Sequence, residues 1–126
     1  MSENPPEIPI IENVEPPEVK LTAPNITLAE TESTWLVVAK NRRVNRDWEA
    51  LIERHPESTR RCYEDLCTAP TTRKPARVFP LKGKLYKGAW EYEVTKGDRI
   101  FYVPDEELLK VIVYYAGKHP NSALRP

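Results

Sequence analysis

Between Pro80 and Trp90 the chain reads Pro80-Leu81-Lys82-Gly83-Lys84-Leu85-Tyr86-Lys87-Gly88-Ala89-Trp90, with three lysines, two glycines and two aromatics in eleven residues. Lysines beside flat rings suit phosphate contacts next to stacked bases. The same composition suits a solvated connection whose lysines guard an exposed strand edge, and on composition alone this plainer reading ranks first. Downstream, Arg99 follows the turn Lys96-Gly97-Asp98, opposite Glu91 and Glu93. An arginine so placed either pairs with those glutamates across a hairpin or reaches an anion. Cys62 and Cys67 lie five residues apart, about 140° around a helix, so they neither share a face nor match common metal spacing. Both are expected to be reduced, with Cys62 in the core, as are Trp35, Trp48 and Trp90.

These residues need elements to hold them. Trp35–Lys40 is a short β-branched run and reads as a strand buried on both faces. From Arg42 to about Arg54, Val44, Trp48, Leu51 and Ile52 fall at helical spacing behind Asn41, an N-cap residue type. His55-Pro56 breaks that helix, and Pro56 suits the first turn of a second one reaching about Thr68, with Thr59, Cys62, Tyr63 and Leu66 on one face. The period then changes to two: Trp90, Tyr92 and Val94 alternate with Glu91 and Glu93. Arg99–Val103 and Leu109–Ala116 follow as strands with a turn at Pro104–Glu107 between them, and Val78–Leu81 would begin the sheet as an edge strand or a bulge because it carries Pro80. The expected architecture is α+β, in the order β-α-α-β-β-β with a possible further strand: two layers, an antiparallel sheet packed on a helical hairpin.

Charge divides the chain. Residues 1–34 hold seven glutamates against Lys20 alone, a net −6, and residues 35–126 carry the compensating +6. Six of the thirteen prolines also fall in 1–34, so this segment is expected to be a disordered or extended acidic tail joined to a basic folded unit at 35–126. Opposite charge would let the tail fold back on the basic body, with Ile8, Ile10, Ile11, Val14, Val19, Leu21, Ile26 and Leu28 spaced among its prolines for docking in extended form. No run approaches the roughly 20 apolar residues of a membrane span, and Met1–Pro5 lacks the basic and apolar regions of a secretory signal. A cytoplasmic location without membrane association is the expectation.

Leu81-Lys82-Gly83, Trp90–Val94, Gly97–Tyr102 and Val111–Val113, in this order and after a strand and helical hairpin, resemble the RelE/ParE superfamily of bacterial toxins, in a divergent RelE/YoeB/HigB-like branch. The resemblance covers residues 35–120. It implies a microbial-RNase-like fold and the toxin component of a type II toxin–antitoxin system, partnered by a cognate antitoxin protein. Members of the RelE and YoeB type cleave mRNA on the translating ribosome without metal or other cofactor: the RNA 2′-hydroxyl attacks, a base takes its proton, and cations stabilise the pentavalent phosphate. On this resemblance Arg99 is the phosphate-stabilising residue, and Lys118 and His119 stand near the scissile phosphate, His119 as acid or base. Lys82, Lys84 and Lys87 would bind the RNA backbone, and Tyr115 would stack on a base.

Departures from the pattern keep two alternatives open. Glu91 and Glu93 replace the basic residues of the aromatic strand, Phe79 replaces a glutamate base, and Asn121–Pro126 lacks the C-terminal tyrosine of several active members. One alternative is a ParE-like toxin that blocks DNA gyrase by protein binding. The other is a RelE-fold binding module whose catalytic set has eroded.

Overall fold

The computed structural model describes residues 17–25 and 34–126; the expectations for 1–16 and 26–33 lie outside the described residues. The elements are β1 (Val19–Lys20), β2 (Leu36–Ala39), α1 (Arg42–Arg54), α2 (Pro56–Thr68), β3 (Val78–Pro80), β4 (Trp90–Thr95), β5 (Asp98–Asp105) and β6 (Lys110–Lys118). None of the described helices is long and apolar enough to cross a membrane.

Both helices start where local chemistry dictates. The Asn41 side chain accepts from the Val44 amide at 3.0 Å, satisfying one of the donors a helix leaves open at its start. Pro56 opens α2, where no backbone N–H is missed, and Thr59 ties the junction by donating its hydroxyl to the His55 carbonyl at 2.6 Å. Val44, Trp48 and Leu51 of α1 and Thr59, Cys62, Tyr63 and Leu66 of α2 turn inward, as the spacing predicts. Against them pack Val37, Ala39, Val78, Tyr92, Ile100 and Val113 from the sheet.

The sheet runs β1-β2-β6-β5-β4-β3. The expected antiparallel pairing holds for all of these neighbours except β2 and β6, which run parallel with Leu36 opposite Lys110 and Ala39 opposite Val113. The parallel pair follows from the helical hairpin, which acts as the crossover between β2 and the strands that follow it. β3 is an edge strand, as Pro80 requires. β5 extends through Pro104 and Asp105, residues expected in a turn; the turn is displaced toward Leu109, whose φ is +50°.

The boundary expected at residue 34 is not the boundary of the fold. Val19 and Lys20 pair with Ala39 and Val38, and Leu21 sits in the core at 1% exposure. Thr22 locks this segment to α1: its amide donates to Asn45 Oδ1 at 2.9 Å and its carbonyl accepts from Trp48 Nε1 at 2.8 Å. Leu21→Ala is therefore expected to cost about 2–3 kcal/mol, the lower part of the range for buried leucines because an edge strand can relax. Urea denaturation measures it, and a change within error would place 17–25 outside the cooperative fold.

Candidate functional site

Tyr92 and Ile100 point into the core, so the period of two sends Glu91, Glu93, Arg99 and Phe101 to the face of the sheet opposite the helices. There, register sets Glu93 opposite Arg99 and Glu91 opposite Phe101. Arg99 is only 9% exposed. Its Nε donates to Glu91 at 3.1 Å, and Nη2 lies 3.3 Å from a Glu93 oxygen. Nη1 donates to the carbonyls of Thr95, Lys96 and Asp98 at 2.7, 3.1 and 3.1 Å. A guanidinium has five N–H groups, and these contacts occupy all three of its nitrogens. Two carboxylates on one guanidinium leave this part of the face with a net negative charge.

Lys118 and His119 sit at the same end of the sheet. Asp98 pairs with Lys118 and Arg99 with Gly117, and the His119 amide donates to Gly97 at 2.9 Å. The structure thus brings Arg99, Lys118 and His119 to one end of the sheet, but alternation past the core residue Ala116 puts Lys118 on the helix side with Asp98 rather than on the face of Arg99; the side chains of Lys118 and His119 are exposed. His119 Nδ1 lies 2.5 Å from the Pro120 carbonyl oxygen. Tyr115 donates its hydroxyl to the Lys118 carbonyl across Gly117, where a Cβ would stand 3.3 Å from that hydroxyl.

Lys82, Lys84 and Lys87 are at the opposite end. They lie between β3 and β4, whose meeting point Trp90 pairs with Tyr102, three residues along β5 from Arg99 and so about 10 Å away. Rings fill the interval. A bulge in β6 sets Phe101 opposite Tyr115 and Tyr102 opposite Val113, leaving Tyr114 unpaired. Consecutive tyrosines therefore share a face that alternation would split between them, and both pack on Phe101, at 5.9 and 5.5 Å between centroids. Burial, reinforced by Tyr86 and Glu91, pushes the Tyr114 phenol well above its ordinary value. Its hydroxyl donates to the Leu124 carbonyl at 2.7 Å, and Leu124, Arg125 and Pro126 lie against Lys84, Leu85 and Lys87. The last residues thus return across this face, and Arg125 joins the lysine end without any signal in the sequence that would have placed it there. Among the described residues no cluster of three or more His, Cys, Asp or Glu side chains is placed to hold a metal.

No protein-family model matches the chain, and no curated protein does. Among solved structures it is similar to the YoeB–YefM complex from Staphylococcus aureus, at a TM-score of 0.52 and 12% identity over 68% of this chain and 98% of that one. A metal-bound toxin from Helicobacter pylori aligns at a TM-score of 0.48 and 17% identity, over 63% of this chain and 89% of the other. The chain has the α+β fold of a YoeB-type toxin, the fold that the sequence resemblance implies.

Proposed function

We propose that this protein is the toxin-type member of a toxin–antitoxin pair, partnered by an antitoxin protein, and that it acts in the cytoplasm by binding a macromolecular target rather than by cleaving RNA through Arg99. The YoeB-type fold supports the class. The closure of Arg99 by Glu91 and Glu93 supports the mode of action. A phosphate developing charge in a transition state needs preorganised cations, and here the strand arginine is already neutralised and walled by carbonyl oxygens. A phosphodiester would have to displace two carboxylates that sit on the same face and repel it.

A second reading, the ribosome-dependent endonuclease, is favoured by one observation: Lys118 and His119 stand at the end of the sheet where Arg99 lies. Mapping mRNA 5′ ends in a translation reaction distinguishes the two. With the wild-type chain, the expected outcome is no new cleavage beyond a reaction without it. Cleavage that disappears on His119→Ala would overturn the binding reading in favour of the nuclease. Because the His119 ring is exposed, that substitution is expected to leave thermal stability unchanged, so loss of cleavage could not be blamed on unfolding.

A further inference from the structure

The open face of the sheet carries a groove of about 290 Å³ walled by Val103, Ile112 and Tyr114, with Lys40 at one rim and Lys87 and Pro126 at the other. It continues past Lys87 into the hollow of Lys84, Leu85, Leu124 and Arg125. Leu85 and Leu124 are exposed there, at 62% and 37%. Among the described residues Lys40, Lys84, Lys87 and Arg125 form no ion pair, although Lys110 on the same face is paired with Glu18 at 2.8 Å. An apolar trough flanked by uncompensated cations suits an extended chain that alternates apolar side chains with carboxylates.

We propose that the occupant is this chain's own N-terminal segment, residues 1–16, laid along the groove from Lys40 toward Lys84. The segment enters at the right place: Pro17 lies against Asn41–Arg43, and Glu18 itself lines the groove beside Lys40. Its composition is complementary, with Glu3, Glu7, Glu12 and Glu15, no lysine or arginine, and Ile8, Ile10, Ile11 and Val14. Glu18 on Lys110 is already one such contact. Length is sufficient, since sixteen extended residues reach about 50 Å, whereas a six-stranded sheet is only about 25 Å across. A tethered segment also binds at high effective concentration, so individually weak contacts suffice. The docking of the segment does not depend on the proposed function.

Paramagnetic broadening in the full chain tests it. A nitroxide is placed on Asn13→Cys or, separately, on Asn4→Cys; Cys62 and Cys67 are 0% and 3% exposed, so the label goes to the introduced thiol. The label at 13 is expected to erase the amide signals of Ile112 and Tyr114, and the label at 4 those of Leu85 and Leu124. Lys84→Glu with Lys87→Glu, both exposed and away from the core, should restore the signals lost to the label at 4. Broadening absent from both, broadening that survives the charge reversal, or broadening seen only when spin-labelled and isotope-labelled chains are mixed overturns the proposal. The last result would assign the groove to a second copy.

Discussion

Arg99→Ala will lower the stability of the folded chain by about 3 kcal/mol, toward the lower end of what removing one partner from a buried ion pair costs, because Glu93 keeps some contact with water. At this size that corresponds to a fall of roughly 12–20 °C in Tm. The loss does not measure the worth of the Arg99–Glu91 attraction. It arises chiefly because Glu91, 8% exposed, is left charged without a partner, and the carbonyls of Thr95, Lys96 and Asp98 lose the donor that holds the β4–β5 turn. Arg99→Met combined with Glu91→Gln and Glu93→Gln should therefore recover much of the loss, since the buried charges go together. Urea titrations of the single and triple variants give the comparison. If Arg99→Ala costs under about 1 kcal/mol, the cluster is an exposed-type pair of little weight, and the guanidinium is then free enough to serve a phosphate.

That cluster was half legible in the sequence. The alternation of Trp90–Val94 and the turn at Lys96-Gly97-Asp98 fixed which residues share the face, and so placed Arg99 with Glu91 and Glu93. Whether the arginine would look outward or lie down between them depends on what covers the face. What holds it down is the ring of turn carbonyls of Thr95, Lys96 and Asp98 around Nη1, and beside it Tyr115, which a bulge turns to this face together with Tyr114; neither feature has a periodic signal. The helices were legible for a local reason: Asn41 and Pro56 mark their starts, and the inward faces repeat at helical spacing. Two features were not. The direction of the β2–β6 pair is decided by the crossover, not by either strand's own residues. The short edge strand at Val19–Lys20 lies among prolines and glutamates, where composition argues against a fold, yet Leu21 fills the space beside Trp48 and Thr22 supplies the indole's acceptor. A stretch too short to show periodicity can be fixed by two such contacts.

Raising the pH above about 10 will destabilise and finally unfold the chain cooperatively, because Tyr63, Tyr92 and Tyr102 are buried as neutral phenols. Burial is the first cause in each case. It raises Tyr63 to about 12, with Cys67 reinforcing, and pushes Tyr92 and Tyr102 well above their ordinary value, with Cys62 and Asp65 reinforcing. Burial, with Asp65 again behind it, also holds the Cys62 thiol up. These groups keep their protons when folded and release them near pH 9–10 when unfolded, so their contribution is fully present below the unfolded value and is lost as pH rises toward the folded one. Tyr92 and Tyr102 are both 0% exposed. Counting only this pair, stability falls by about 2.7 kcal/mol per pH unit above 10. For a domain stable by about 5 kcal/mol, near the lower end of the usual range, the midpoint then lies at about pH 12. Tyr102→Phe separates this cause from general alkaline damage. The variant loses the hydroxyl that donates to the Pro70 carbonyl at 2.6 Å and so is less stable at neutral pH, but its stability should decline less steeply above pH 10, by about 1.4 kcal/mol per pH unit. Far-ultraviolet circular dichroism and tyrosinate absorbance, followed together, check both points: the part of the absorbance that Tyr102→Phe removes should rise at the midpoint where the wild-type helix signal is lost. If that part of the absorbance rises near pH 10 while the helices persist, or if the slope in Tyr102→Phe is unchanged, the buried phenols reach water without unfolding and the two-layer core is looser than its packing implies.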